Sequence, residues 1–175
     1  RWPDWPDTVL LLQGPRGSGK SHLGAIWAAE SKAWIVDSFE VTPGRVSHLV
    51  SNGAILIEDP DRSDRDEAAL FHLLNHARER RTFVPMTASS PPDQCNLRTP
   101  DLLSRLRLAP CVLIEPPDDA LLRAVLVKLF VDRQLVVDTT VVDYIALRIE
   151  RSLARAAEIV VALDREALSR GRRIS

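Results

Sequence analysis

The sequence predicts an α/β fold: a five-stranded parallel sheet flanked by helices, followed by a small all-α subdomain. Two observations carry this. Short apolar runs alternate with segments of helical period as far as residue 115, and alternation of that kind builds a parallel sheet covered by helices. Beyond Pro116-Pro117 every segment has helical spacing. The expected division is therefore 1–116 for the sheet-bearing part and 117–175 for the helical part.

Each element follows from its residues. Residues 2–7 (WPDWPD) form a stiff, proline-broken lead-in. Residues 8–12 (TVLLL) are an apolar run ending near glycine, a buried strand. Residues 14–20 are a glycine-rich turn, and 21–31 a helix with Leu23, Ile26 and Trp27 on one face. A second strand is expected over 33–36, a short helix over 46–50, and a third strand over 54–57 that runs into Glu58-Asp59. The clearest helix of this half spans 64–81, where Ala69, Leu70, Leu73, Leu74 and Ala77 repeat at i, i+3, i+4. The fourth strand, 82–87, contains Pro85, which argues for an edge or irregular position. A proline-rich loop over 91–100, a short helix over 101–106 and a fifth strand over 111–115 complete the alternation. Three helices follow, over 118–132, 139–149 and 152–169, the first two opening at the N-cap residues Asp118 and Thr139.

Composition bounds the function. The chain has 175 residues, 45% apolar and 27% charged, an ordinary soluble profile. Its net charge of −1 excludes a protein that holds nucleic acid by charge alone. No apolar run approaches the roughly 20 residues of a membrane span, and no targeting segment is visible at the start. Cys95 and Cys111 form no CxxC pattern and read as reduced thiols of a cytoplasmic protein. The cations are 20 Arg and 3 Lys, so a lysine inside a glycine-rich loop stands out.

That lysine lies in Gly14-Pro15-Arg16-Gly17-Ser18-Gly19-Lys20-Ser21, a full match to G-x-x-x-x-G-K-[ST] between a strand and a helix. Glycines let backbone N–H groups close around phosphate oxygens, and the helix N-terminus adds partial positive charge. Lys20 is expected to reach the β- and γ-phosphates and Ser21 to hold Mg²⁺, so the expected cofactors are ATP or ADP with Mg²⁺. Glu58 and Asp59 end the third strand, at the sheet edge where ligands sit. One is expected at the metal and the other at the attacking water; the register leaves open which. His72 and His76 stand at i, i+4, but the glutamate of HExxH is absent, so helix-face histidines are the better reading. His22, just after the loop, is expected to pack or cap, and Trp34 to lie in the core.

The order of motifs resembles the AAA+ ATPases of the DnaA/Hda branch, bacterial replication initiators and their small regulators. Gly19-Lys20-Ser21-His22-Leu23 is similar to the branch's phosphate loop and the His-Leu that follows it. Phe71-His72-Leu73-Leu74-Asn75 resembles its FHxxN helix, and Thr87-Ala88-Ser89-Ser90-Pro91-Pro92 its sensor 1 strand end. Asn96–Leu106 is very similar to the segment bearing the arginine finger. Glu115-Pro116-Pro117-Asp118 with Arg123 resembles the crossing into the helical lid, and Arg151-Ser152 with Arg155 the sensor 2 helix. The resemblance implies Arg105 as the arginine finger, Ser89 at sensor 1, and Arg155 at sensor 2 with Arg151 as the other register. It places His22 and Arg155 with the loop among the nucleotide-binding residues.

Within the branch, the expected kind is the small Hda-type regulator, because the chain stops at Ser175 without room for a DNA-reading domain. Such regulators act with the DNA-loaded sliding clamp, bound through an N-terminal peptide, and promote hydrolysis of ATP held by the initiator DnaA, which inhibits re-initiation. This chain opens at Arg1-Trp2-Pro3 and carries no clamp-binding peptide. Ser89 replaces the usual sensor 1 aspartate, and Arg107-Leu108-Ala109 a Trp-Gly pair. The expectation is thus an adaptor with weak hydrolysis of its own, possible homo-oligomers, indirect or weak DNA contact, and no membrane association. The alternative is a helicase loader or transposition helper of the DnaC/IstB type that binds single-stranded DNA.

Overall fold

The computed structural model describes residues 2–170; Arg1, with which the sequence opens, and residues 171–175, with which it stops, lie outside them. Five strands form one sheet: β1 (Val9–Gln13), β2 (Trp34–Asp37), β3 (Ile55–Glu58), β4 (Val84–Ala88) and β5 (Cys111–Leu113). Their order is β2-β3-β4-β1-β5, and every pairing is parallel. Seven α-helices alternate with them or follow: α1 (Lys20–Ser31), α2 (Val46–Val50), α3 (Glu67–Arg80), α4 (Pro100–Leu108), α5 (Asp119–Asp132), α6 (Thr139–Ala146) and α7 (Leu153–Arg170). The chain divides into two compact units. Among the described residues, one holds 2–15 with Lys20–Ile114; the other holds Arg16–Gly19 and 115–170.

In the first unit the central strands are buried on both faces. Ile55, Leu56 and Ile57 have no exposed surface, as the continuous apolar run of a parallel strand requires. Val9, Leu11, Ile55, Ile57, Val84 and Met86 join Leu49, Leu70, Leu73, Leu74 and Leu102 in one core, so α2, α3 and α4 cover that face. Helix α3 begins where Asp66 accepts the N–H of Ala69 at 2.9 Å, and ends where Arg81 turns left-handed at φ +56°. In the second unit α5, α6 and α7 enclose a separate core of Leu122, Leu126, Phe130, Val142, Ile145, Ala156 and Val160.

At four places the structure sharpens or corrects the expectation. First, Pro85 lies in β4, the middle strand and not an edge, where it pairs with Leu10; of the two expected positions it takes the irregular one. The sheet accommodates it by a gap: β4 meets β3 at Ala54↔Phe83 and again at Ile57↔Met86 and Glu58↔Thr87. The N–H of Val84 points to β1, onto Thr8 O at 2.7 Å, so alternation turns position 85 toward β3, where the missing N–H leaves the ladder open. Second, the inward face of α1 is small: Lys20, Gly24 and Ala28 are buried, while Leu23 is 44% and Ile26 53% exposed. Gly24 is there because a Cβ at that point would stand 2.9 Å from Leu56 Cδ2. Third, Asp138 rather than Thr139 caps α6, accepting the N–H of Thr140 at 2.8 Å. Fourth, Trp34 is half-exposed on the edge strand β2, its ring centroid 4.7 Å from that of His48.

Gly24→Val is expected to cost about 2 kcal/mol, or roughly 4–8 °C in Tm, because the added branches drive into buried Leu56. Ala124→Val, at an exposed position of α5, is the control. It should lose only the helix-propensity difference of a few tenths of a kcal/mol, about 0.5 at most. Urea and thermal melts of both variants read this directly.

Candidate functional site

The glycine-rich turn joins β1 to α1 at the carboxyl edge of the sheet. Gly17 and Gly19 have left-handed backbone, φ +77° and +99°, which side-chain-bearing residues rarely adopt. Space enforces the first: a Cβ on Gly17 would lie 1.8 Å from Ser152 Oγ. Lys20, the first residue of α1, is buried, and its Nζ donates to Gly14 O at 2.7 Å and Pro15 O at 2.8 Å. The loop thus carries an ammonium folded inside its own backbone. Gly14 N–H donates to Ala88 O at 3.1 Å, tying the loop's start to the end of β4. The Ser18 hydroxyl is buried with no hydrogen-bond partner. Arg16, Ser21 and His22 are exposed. The loop tip meets the start of α7, where Leu153 N–H donates to Gly17 O at 2.7 Å and Ser152 Oγ accepts from Arg155 N–H at 3.2 Å.

Two strands away lies an acidic edge. Glu58 closes β3, and Asp59 follows in left-handed conformation at φ +51°. Asp59 N–H donates to Thr87 O at 3.1 Å, and the fully buried Ser38 donates its hydroxyl to Asp59 O at 2.8 Å. Burial pushes the Asp59 carboxyl above its ordinary range; the charges of Asp61, Asp37 and Glu58 push the same way, against the pull of Arg62. Glu58 pairs in register with Thr87. Glu58 Oε1 and Thr87 Oγ1 are both buried without a hydrogen-bond partner among the described residues, a polar acceptor and a hydroxyl side by side at the end of the two central strands. Unpaired buried polar groups are costly, and a cation, a water and phosphate oxygens are the chemistry this set accepts.

Reasoning from sequence missed the residues that hold this edge in shape. Asp61 Oδ2 accepts the N–H groups of Ser89 (3.0 Å) and Ser90 (3.1 Å), fixing the chain just after β4. Glu67 accepts from Arg98 N–H (3.1 and 2.9 Å) and Thr99 N–H (2.7 Å), and stands 3.3 Å from Arg65. Arg65, its side chain 3% exposed, also donates to Cys95 O at 2.6 Å. The loops after β3 and β4 are therefore clamped together around a cleft of about 450 Å³. Pairing between residues about 30 positions apart has no local signal; the only hint was the density of acids between 58 and 67. Thr87 was marked only by the sensor 1 resemblance, because by itself a threonine in an apolar strand reads as ordinary β propensity.

The arginines separate by environment. Arg155 pairs with Glu158 at 2.7 Å, Arg151 with Asp119 at 2.9 Å, and Arg123 with Asp143 at 2.7 Å. Arg105 is half-buried in α4, and among the described residues it has no ion pair or hydrogen bond, while Arg107 pairs with Asp93. His76 Nδ1 faces Glu79 Oε2 at 3.2 Å. Among the described residues no group of three or more His, Cys, Asp or Glu is arranged to hold a metal, and no helix is long and apolar enough to cross a membrane.

A phosphate-loop turn in a parallel sheet of this strand order, with a helical unit after it, is the fold of an AAA+ P-loop NTPase. Solved structures of the replication initiator DnaA and of other AAA+ proteins are similar to this chain in fold. Domain III of DnaA from Thermotoga maritima superposes with a TM-score of 0.76 at 16% identity, over 97% of this chain and 80% of that one. The initiator DnaA bound to AMPPCP and single-stranded DNA gives a TM-score of 0.72 at 17% identity, over 95% and 59%. A RuvB variant from Thermotoga maritima gives 0.72 at 17%, over 94% and 57%. The chain thus spans less than two-thirds of the last two. No family model matches the sequence, and no curated protein matches it.

The Glu67 clamp makes a prediction. Burial raises the Glu67 carboxyl, but hydrogen bonds from Arg98 and Thr99 and the charge of Arg65 outweigh this and hold it below its ordinary range. Its stabilisation is therefore present above the unfolded pKa, near 4.3, and is lost as pH falls through the lower folded value. Glu67→Gln should lose about 1–3 kcal/mol at pH 7. Its stability should also fall less steeply than the parent's between about pH 4.5 and pH 3, as read by urea melts across that range.

Proposed function

We propose that this chain is a nucleotide-binding AAA+ regulator of replication initiation, one that promotes hydrolysis of ATP held by an initiator, together with the DNA-loaded sliding clamp. The observation that carries the first half is the loop itself: left-handed Gly17 and Gly19, with the Lys20 ammonium drawn onto Gly14 and Pro15. A backbone of that shape at a helix N-terminus is built for phosphate. The similarity in fold to a DnaA bound to AMPPCP supports the same reading.

The residues fit the group. Gly14, Pro15, Arg16, Gly17, Ser18, Gly19, Lys20, Ser21 and His22 would hold ATP or ADP, with Arg155 from the start of α7. Ser21, Glu58 and Asp59 would hold Mg²⁺, which commonly takes one or two carboxylates beside phosphate oxygens. The nucleotide, when bound, supplies phosphate charge and, as the triphosphate, the bond to be cleaved. Lys20 neutralises charge where the loop places it. One of Glu58 and Asp59 would orient the attacking water, with Glu58 beside the Thr87 hydroxyl. Asp61 positions Ser89 by holding its backbone N–H. A raised Asp59 carboxyl, crowded by three other acids, is relieved by a cation.

Arg105 supports the second half. Its guanidinium has no partner among the described residues, and an arginine presented to a neighbour's phosphates raises turnover by about 10³–10⁵. The adaptor would then act on ATP held by DnaA, with slow turnover of its own.

Lys20→Ala is expected to weaken ADP binding at least about 100-fold, measured by calorimetry with Mg²⁺, with the melting curve kept; retained affinity would sink the phosphate-loop assignment. Arg105→Ala should bind nucleotide normally, yet fail to convert labelled ATP on the initiator to ADP in the presence of clamp-loaded DNA. Normal conversion by that variant would remove Arg105 from the reaction. No conversion by the parent, with steeply salt-dependent binding to single strands, would favour a helicase loader instead.

A further inference from the structure

We propose that the outer face of α1 is a self-association surface that pairs with the same face of a second copy, the two helices antiparallel about a twofold axis through Ile26. The face is apolar and open. Leu23 is 44% and Ile26 53% exposed, opposite the buried Gly24 and Ala28. Beside these two side chains lies an apolar groove of about 310 Å³, with Leu10, Leu12, Pro85 and Val112 from the sheet and Trp5 and Trp27 at its wall. Large exposed apolar side chains on one helix face are what an isologous contact covers, and the groove beside them extends the apolar surface.

The order of residues along α1 selects the partner. A twofold axis at Ile26 sets Ile26 against Ile26 of the second copy. Three residues away on either side, Leu23 meets Ala29, large against small. Four residues away, His22 meets Glu30, a ring nitrogen against a carboxylate. Each pairing occurs twice, since residue i meets j and j meets i. His22, Ala29 and Glu30 are all exposed. An unrelated partner has no reason to match this internal symmetry. The alanines at 25 and 29 also allow close helix approach, at the 8–10 Å typical of packed helices.

Sedimentation velocity on the full chain, from about 1 to 100 µM, is the test; dissociation constants in that window correspond to about 5–8 kcal/mol of association. The parent is expected to approach twice its 19.5-kDa mass. Ile26→Glu should remain monomeric with an unchanged circular dichroism spectrum. Glu30→Lys should weaken the dimer at least about tenfold, and adding His22→Glu should restore it, because the cross-axis charge pair is then reversed. In a Cys111→Ser background, Ile26→Cys should form an intermolecular disulfide under mild oxidation. A parent that stays monomeric throughout overturns the proposal. So does a dimer indifferent to both Ile26→Glu and Glu30→Lys, and a dimer whose Ile26→Cys form does not cross-link overturns the antiparallel register.

Discussion

The left-handed backbone at Gly17 and Gly19 sets the path from β1 into α1, and the placement of Lys20 follows from it. With right-handed torsions at those two positions the chain would not turn back over its own carbonyls. The ammonium would then not reach Gly14 O and Pro15 O, 2.7 and 2.8 Å away. Ser152 leaves no room for a Cβ at Gly17, so sterics and torsion make the same demand. The start of α7 depends on the same few atoms. Its first N–H, from Leu153, has no acceptor within the helix, as at every helix N-terminus, and Gly17 O supplies one. The next need is met by Ser152, whose hydroxyl accepts from Arg155 N–H. Arg155 therefore owes its position to a cap built on the loop.

The acidic edge rests on a different constraint, the register of β3 against β4. Pairing Glu58 with Thr87 places a carboxylate and a hydroxyl next to each other at the sheet's carboxyl edge, and leaves Glu58 Oε1 and Thr87 Oγ1 without hydrogen-bond partners among the described residues. Pro85 helps to make that register unambiguous. Because it donates nothing, the β3–β4 ladder divides into contacts before and after it, and slippage by one residue would place the gap against a strand residue that needs the bond. A slip would also turn Ile57, fully buried, to the opposite face. Asp61 then extends the order past the strand by binding two successive N–H groups, at Ser89 and Ser90.

The order of strands and helices was legible because hydrophobic period is a local property. TVLLL, ILIE and the i, i+3, i+4 pattern of α3 each declare themselves within a few residues. The phosphate loop was legible for the same reason, as eight adjacent positions in one turn. What was not legible depends on partners far along the chain. The periodicity of α1 grouped Leu23, Ile26 and Trp27 on one face but did not say which face turns inward; the helix buries Lys20, Gly24 and Ala28. Apolarity marks what water disfavours, but the helix lies so close to Leu56 that only small side chains fit between them. Thr139 looked like a cap because threonine caps helices well, yet Asp138, one residue earlier, has the extended backbone and makes the bond. Asp61 and Glu67 were invisible as site residues, since what distinguishes each is a contact with a residue about 30 positions away.

The inward face of α1 bears on how the site is built. A helix that starts with the phosphate-loop lysine must bring that lysine's backbone under the sheet edge, so its first buried position is already taken by a charged residue. Gly24 and Ala28, one and two turns on, keep the axis near the sheet. Larger residues there would lift the helix and, with it, the N-terminal N–H groups and Lys20. The apolar side chains that a helix of this period would ordinarily bury are consequently displaced to the outside, at Leu23 and Ile26. Their exposure is thus the structural counterpart of holding the loop close to β4. It follows that this surface cannot be made polar by moving its side chains inward. The chain must leave it open to water or cover it with protein, and the pairing of Leu23 with Ala29 and of His22 with Glu30 across a twofold axis is the cover its own sequence matches.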